Sequence, residues 1–297
     1  MVRPACFDFN AQTAVTNAFQ SNTPLTGNVH ELAQMEFDDC VKQLNNAGIT
    51  VQVMQDTEEP IKPDAVFPNN WVSLHADGTV VLYPMCTPNR RAERRMDIVK
   101  NLATHYDIQK VIDFSNEEEQ SRFLEGTGSV VFDHLHRTAF ACLSPRTNKG
   151  LLEKLCAQIG YEPIAFHASD ANGHPIYHTN VMMCIAEKFA VICAESITKP
   201  EERNDVLARL AVDNREIVEI SFAQMERFAG NMLALHSASN EDLIVLSQSA
   251  YESLTQQQLS MIQKNNRPII FRIPTIETIG GGSARCMIAE IFCTPKS

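Results

Sequence analysis

The stretch Ile279-Gly-Gly-Gly-Ser-Ala-Arg-Cys286-Met-Ile-Ala-Glu-Ile-Phe292 sets three glycines and a serine directly ahead of a thiol, then runs into apolar sequence that predicts a strand. Two readings compete. Free cysteine is among the most buried residue types, so Cys286 could be a small packing residue. Alternatively, glycines let backbone N–H groups approach a site closely, and such donors stabilise a thiolate and the oxyanion it generates.

Working outward, apolar segments broken by turn residues recur. Val72–Pro84 turns at Asp77-Gly78, 129–144 near Asp133-His134, 180–195 at Glu187-Lys188, and 231–247 over Ser237 to Glu241. Each predicts a hairpin. Helical periodicity fills the intervals: 31–48, with Leu32, Met35, Val41 and Leu44 on one face and Gly48 as the stop, then 91–104, 149–159, 199–211 and 252–264. The chain reads as repeated strand, hairpin and helix units.

At the mouth of each hairpin stands one polar residue: Asn70 in FPNNW, Glu125 in LEGTGS, His178 in YHTNVMM, Asn231 in FAGNML and Cys286 in GGGSARC. The separations are 70 to 125 = 55, 125 to 178 = 53, 178 to 231 = 53 and 231 to 286 = 55. A near-constant period of this size marks a repeated supersecondary unit. Units closed around an axis bring equivalent positions to the centre, so a thiol, an imidazole, a carboxylate and two amides would face one another. Cys, His and Glu together form a workable covalent site: a thiolate adds to a planar carbon, and a histidine exchanges protons with leaving group and water. Closed in this way, residues 1–297 would form a single catalytic α/β domain; that its form is a five-bladed pseudosymmetric α/β propeller is what a family resemblance implies.

These motifs resemble the guanidino-group-modifying superfamily, which comprises arginine deiminases, dimethylarginine dimethylaminohydrolases and amidinotransferases, all five-bladed α/β propellers known as penteins. GGGSARCM resembles the nucleophile loop, LEGTGS the Glu-Gly segment, YHTN the His-x-Asp segment and FPNN the Phe-x-x-Asp segment. The resemblance spans residues 64 to 292, and the opening residues are similar to the dimethylarginine-hydrolase-like branch. It implies Cys286 as nucleophile, His178 as general acid and base, and Glu125 as the carboxylate that grips a substrate nitrogen. NRRAE and SPRTN resemble segments that hold the substrate α-carboxylate, which implies Arg90 and Arg146. Arg285 is left open between holding the thiol ionised and bracing the loop.

Asn70 and Asn180 stand where arginine deiminases carry aspartates. Two carboxylates suit a guanidinium, whereas an amide also offers N–H donors to a carbonyl oxygen. A charge-assisted bond is worth about 1.5–3 kcal/mol against about 1 for a neutral one, so two such losses weaken arginine recognition by a few kcal/mol. The expectation is a citrulline ureidase-like hydrolase, with Asn70 and Asn180 on the ureido group. Arginine deiminase or dimethylarginine hydrolase is the alternative. A further one is a binding protein resembling the ribosome anti-association factor, against which the Cys, His and Glu set argues.

Composition excludes several classes. A net charge of −11 disfavours nucleic acid or an anionic membrane as partner, since both need clustered basic residues. Nine cysteines without a CxxC pair indicate reduced thiols in a cytoplasmic protein and give no metal-ligand spacing. No motif asks for a cofactor. The expected partner is a small amino acid, and self-association into a homo-oligomer is compatible with the sequence.

Overall fold

Five small sheets arranged in sequence order make up the computed structural model, which describes residues 1–23 and 26–296. Residue 297 of the expected domain lies outside the described residues, as do 24 and 25. The first sheet joins β1 (Val2–Arg3) and β2 (Met54–Gln55) in parallel. Between them run the short helix α1 (Ala11–Ala14) and the long helix α2 (Val29–Asn46).

The other four sheets repeat one plan: an antiparallel hairpin, a covering helix, then a third strand parallel to the second. In the first, β3 (Val72–Leu74) and β4 (Thr79–Leu82) form the hairpin, α3 (Met96–His105) follows, and β5 (Lys110–Asp113) pairs with β4 at Val80↔Val111. After the short helix α4 (Gly126–Ser129), the next has β6 (Val131–Asp133), β7 (Thr138–Cys142), α5 (Lys149–Ile159) and β8 (Glu162–Phe166). The third has β9 (Met183–Ile185), β10 (Phe189–Ile192), α6 (Pro200–Leu210) and β11 (Glu216–Glu219). Following α7 (Phe222–Met225), the fourth has β12 (Leu233–His236), β13 (Asp242–Ser247), α8 (Gln248–Ser253), α9 (Gln256–Gln263) and β14 (Arg267–Phe271). All four hairpins fall where the turn residues place them. This is the five-bladed propeller that the resemblance implies.

The fifth unit differs from expectation. Past Cys286 the chain forms a single turn over Ala284–Met287 and one parallel bridge, Leu74↔Ile291, rather than a strand. The segment packs against the other end of the chain: Met287 and Ile288 share a core cluster with Ala33, Phe37 and Leu44 of α2, and Cys293 shares one with Val2 of β1.

Two helical expectations also need correction. The 91–104 segment begins as a 3-10 turn over Pro88–Glu93, and 252–264 is broken at Leu254, where Thr255 caps a new helix through a reciprocal box with Gln258. In α2 the buried face is Ala33, Phe37, Cys40 and Leu44. Leu32 and Val41 are only partly covered, and Met35 is 68% exposed whereas Phe37 is fully buried. Spacing admitted both faces; the larger aromatic decided, because it removes more apolar area from water. Cys142, Cys184 and Cys193 are core residues whose thiols burial pushes up to about 12. Among the described residues no helix is long and apolar enough to cross a membrane.

Replacing Phe37 with Ala should cost about 3–5 kcal/mol in urea unfolding, and Met35→Ala within about 0.5 kcal/mol of nothing. Equal effects would contradict this packing of α2.

Candidate active site

The five periodic residues sit in tight turns at the entry to each blade, and the turns are packed so closely that several tolerate only glycine. Asn70 ends the turn Pro68–Asn70, Glu125 precedes α4, His178 precedes the turn Thr179–Val181, and Cys286 lies in Ala284–Met287. Gly126 has φ +48°, and a Cβ there would meet the Asn69 carbonyl oxygen at 2.1 Å. A Cβ on Gly128 would lie 2.5 Å from Asn70 Nδ2 and 2.7 Å from His178 Nδ1. These two glycines let the second turn seat against the first and third.

The glycine run ahead of Cys286 serves the same end. A Cβ on Gly280 or Gly282 would come within 2.9 Å of the Phe67 ring, and one on Gly281, at φ +63°, within 2.6 Å of Gln20 and Asn17. The Cys286 N–H is taken by Ser283 O at 2.9 Å and the Arg285 N–H by Asn231 Oδ1 at 3.0 Å. Both of these main-chain donors are thus occupied, and the glycines act through close packing.

Three clusters meet around the axis. In the first, Cys286 Sγ lies 3.5 Å from Asn180 Nδ2 and 3.4 Å from Asn231 Nδ2. In the second, His178 Nε2 lies 2.8 Å from Glu125 Oε2. Glu125 Oε1 accepts from the Cys86 N–H at 2.9 Å, and Arg146 stands 3.5 Å from Oε2. In the third, Arg90 forks onto Glu93 at 2.8 and 2.9 Å and donates to Asn70 Oδ1 at 2.9 Å.

Electrostatics follow from burial. Desolvation opposes the charge on Glu125, but Arg146, the His178 hydrogen bond and the more distant Arg90 outweigh it and hold the carboxyl below its ordinary value. Desolvation likewise drives the His178 ring below 6.5, against the pull of Glu125. A neutral His178 beside a carboxylate donates from Nε2, which leaves Nδ1 as the proton acceptor.

The cavity itself, about 10 Å³, is lined by Asn70, Arg90, Arg146, His178 and Cys286, and by Asp64, Phe67, Tyr177 and the glycine run. That is room for about one water molecule. Its roof is the N-terminal segment around α1: Asn10 Nδ2 and Thr13 Oγ1 donate to Asp64 Oδ2 at 2.7 and 3.2 Å, and Asn17 Nδ2 donates to Gly281 O at 3.1 Å. Arg146 donates to Thr13 O at 2.9 Å and to Thr16 Oγ1.

All seven predicted residues are buried; Asn70, Arg90, Arg146, His178 and Cys286 line this cavity, and Glu125 and Asn180 lie outside its lining. Asn180 lies beside the Cys286 sulfur and lines a separate cavity of about 80 Å³. Glu125 is fully buried with both oxygens engaged, so it reaches the site through His178. Arg90 has its fork filled by Glu93 and also holds Asn70, while Arg146 stands 3.5 Å from Glu125 Oε2 and spends its other donors on the neutral Thr13 O and Thr16 Oγ1 of the roof. The open choice for Arg285 resolves toward bracing, because its guanidinium binds Ile288 O and Glu290 at 2.8 Å each.

Asp64 is the residue the sequence reading missed. It is buried, its Oδ1 has no hydrogen-bond partner, and burial raises its carboxyl against the pull of Arg90. It stands outside the repeat, so periodicity offers no signal; its only cue is proximity to the FPNN motif.

This fold with an axial cysteine, histidine and glutamate defines a member of the guanidino-group-modifying superfamily of five-bladed penteins. Within it, the chain belongs to the N,N dimethylarginine dimethylhydrolase family, eukaryotic, whose model matches residues 3–293. No curated protein matches. Among solved structures, apo ArgZ, an arginine dihydrolase from the ornithine-ammonia cycle in cyanobacteria, superposes with TM-score 0.76 at 14% identity, covering 98% of this chain and 40% of that one. The chain therefore spans about two fifths of full-length ArgZ. The substrate-bound N-terminal domain of ArgZ gives 0.75 at 14% identity and 98% coverage of each chain. A dimethylarginine dimethylaminohydrolase adduct with S-methyl-L-thiocitrulline gives 0.65 at 15% identity and 96% coverage of each. At these identities the likeness is one of fold.

Two predictions follow from the geometry. Gly128→Ala should lower turnover by about 100-fold through displacement of Asn70 and His178, with the circular dichroism spectrum retained; undiminished turnover would show that the pair is not positioned by this contact. The neutral His178 stabilises the fold fully above pH 6.5, where the unfolded chain is also unprotonated. Below that the unfolded chain binds the extra proton, so stability falls as pH drops toward the lowered folded value. Urea titrations should show this decline between neutral pH and pH 5, shallower in His178→Gln; identical slopes would contradict it.

Proposed function

We propose that the chain is a single catalytic domain that hydrolyses the ureido group of citrulline, giving ornithine, ammonia and carbon dioxide through an S-carbamoyl intermediate on Cys286. The observation that carries this reading is the orientation of Asn70. Arg90 has only donors, so it fixes Oδ1 of Asn70 toward itself and leaves Nδ2, which has no partner, free as a donor beside the reaction centre. Such a donor matches a carbonyl oxygen and mismatches a guanidinium nitrogen.

The steps balance as follows. His178 Nδ1 takes the thiol proton, and Cys286 Sγ attacks the ureido carbon while Asn70 Nδ2 supports the developing negative oxygen. The bond from that carbon to the ornithine nitrogen breaks as His178 returns its proton to the amine. Water then attacks the thioester-like carbon, giving up a proton to His178; the sulfur leaves and is reprotonated, and the released carbamate decomposes to ammonia and carbon dioxide. Arg146 binds the α-carboxylate once the N-terminal segment lifts, exchanging Thr13 O and Thr16 Oγ1 for two carboxylate oxygens.

One observation favours a second reading. Asp64 gives the cavity a carboxylate with an unpartnered oxygen, which restores part of the negative field that a guanidinium needs. Arginine or a methylated arginine, attacked at the same carbon, would then lose ammonia or a methylamine and be hydrolysed to citrulline.

Separate incubations with citrulline, arginine and methylated arginines distinguish the two. Ornithine and ammonia in equal amounts from citrulline are expected. Citrulline formed from arginine, with citrulline itself inert, would replace the proposal. Asn70→Asp should shift preference toward guanidinium substrates by about 10-fold or more, as a charged acceptor replaces a neutral donor; an unchanged ratio would remove the Asn70 argument.

A further inference from the structure

The residues around the nucleophile raise a question that the proposed chemistry leaves open: what holds the Cys286 sulfur. Cysteine nucleophiles commonly lean on a cationic partner. Here His178 is turned to Glu125, and the Arg285 guanidinium is tied to Ile288 O and Glu290. The recorded polar partners of Sγ are the two carboxamides, Asn231 Nδ2 at 3.4 Å and Asn180 Nδ2 at 3.5 Å, with Asn231 Oδ1 at 3.7 Å.

Asn231 is fully buried, and its amide can face only one way. Oδ1 accepts from the Arg285 N–H at 3.0 Å, and Nδ2 donates to the Asn180 carbonyl at 2.9 Å. One partner is solely a donor and the other solely an acceptor, so exchanging oxygen and nitrogen would break both bonds. The second Nδ2 proton then has the sulfur as its neighbour. The backbone is built for this placement: a Cβ on Gly230 would meet Val181 O at 2.4 Å and Met182 C at 2.6 Å, so glycine there lets the Asn231 loop seat against the turn that carries Asn180. The charged groups of the surrounding wall are matched in sign, Arg90 and Arg146 against Asp64 and Glu125, and each is engaged elsewhere.

We infer that Asn231 is a catalytic residue, which with Asn180 forms a cradle of two neutral N–H donors that supports the negative sulfur formed when Cys286 gives up its proton. N–H donors favour the anionic form of the group they face. The inference rests on Cys286 being the nucleophile, and does not depend on which substrate it attacks.

The test uses the full chain without substrate. Iodoacetamide labelling of the Cys286 peptide, followed by mass spectrometry across neutral to alkaline pH, reads thiolate availability directly. Asn231→Asp keeps the acceptor for the Arg285 N–H, removes the donor and adds a negative charge. It should label about 10-fold more slowly at neutral pH, with the profile displaced toward alkaline pH and the alkaline plateau retained. Asn231→Ser, neutral and shorter, serves if the first variant does not fold, and should shift the profile in the same direction by less. Wild-type profiles in both variants would overturn the role of Asn231 alone. Failure of Cys286 to label ahead of the core cysteines in the wild type would overturn this inference together with the nucleophile.

Discussion

The buried pair of Glu125 and His178 is the interaction on which the rest of the site depends. A carboxylate removed from water is stable only when its charge is matched and its oxygens are bonded. Here Arg146, the His178 ring and the Cys86 N–H supply that match from three separate segments. The pairing fixes the imidazole tautomer, which decides where a proton can be accepted, and so decides what Cys286 can do. Removing Glu125 would leave Arg146 as a buried cation beside a ring with no fixed tautomer.

Around that pair the site is built from amides that are each held in one orientation. Arg90 sets Asn70, the Arg285 N–H and the Asn180 carbonyl set Asn231, and both Asn180 and Asn231 present N–H groups to the sulfur. Neutral donors replace charges on the side where the reacting oxygen and sulfur lie. The charges that remain are buried along the wall, Arg90 against Asp64 and Glu93 and Arg146 against Glu125. This division is what the proposed substrate, a neutral ureido group carried on a charged amino acid, would require.

Much of this was legible in the sequence because the propeller repeats its architecture at a near-constant interval. Turn residues such as Asp77-Gly78 and Glu187-Lys188 fix hairpins locally, and the polar residue at each mouth needs only the period to be found. What escaped depends on contacts between segments remote in sequence. The apolar run after Cys286 carries a local strand signal, yet it packs on α2 and β1 from the opposite end of the chain and makes isolated bridges rather than a strand. Phe37 rather than Met35 faces the core because of what α2 packs against. Arg90 looks like a carboxylate fork until Glu93, three residues on, is seen to fill it, and Asp64 belongs to no repeat at all.

The central claim is that Cys286 becomes covalently attached to the ureido carbon and to nothing else of the substrate. Rapid acid quench of the enzyme turning over citrulline, with mass spectrometry of the peptide containing residue 286, measures this directly. A mass increase equal to one carbamoyl group on Cys286 is the predicted result. An unmodified Cys286 with the label on another residue, or an adduct that retains the ornithine portion, would contradict it.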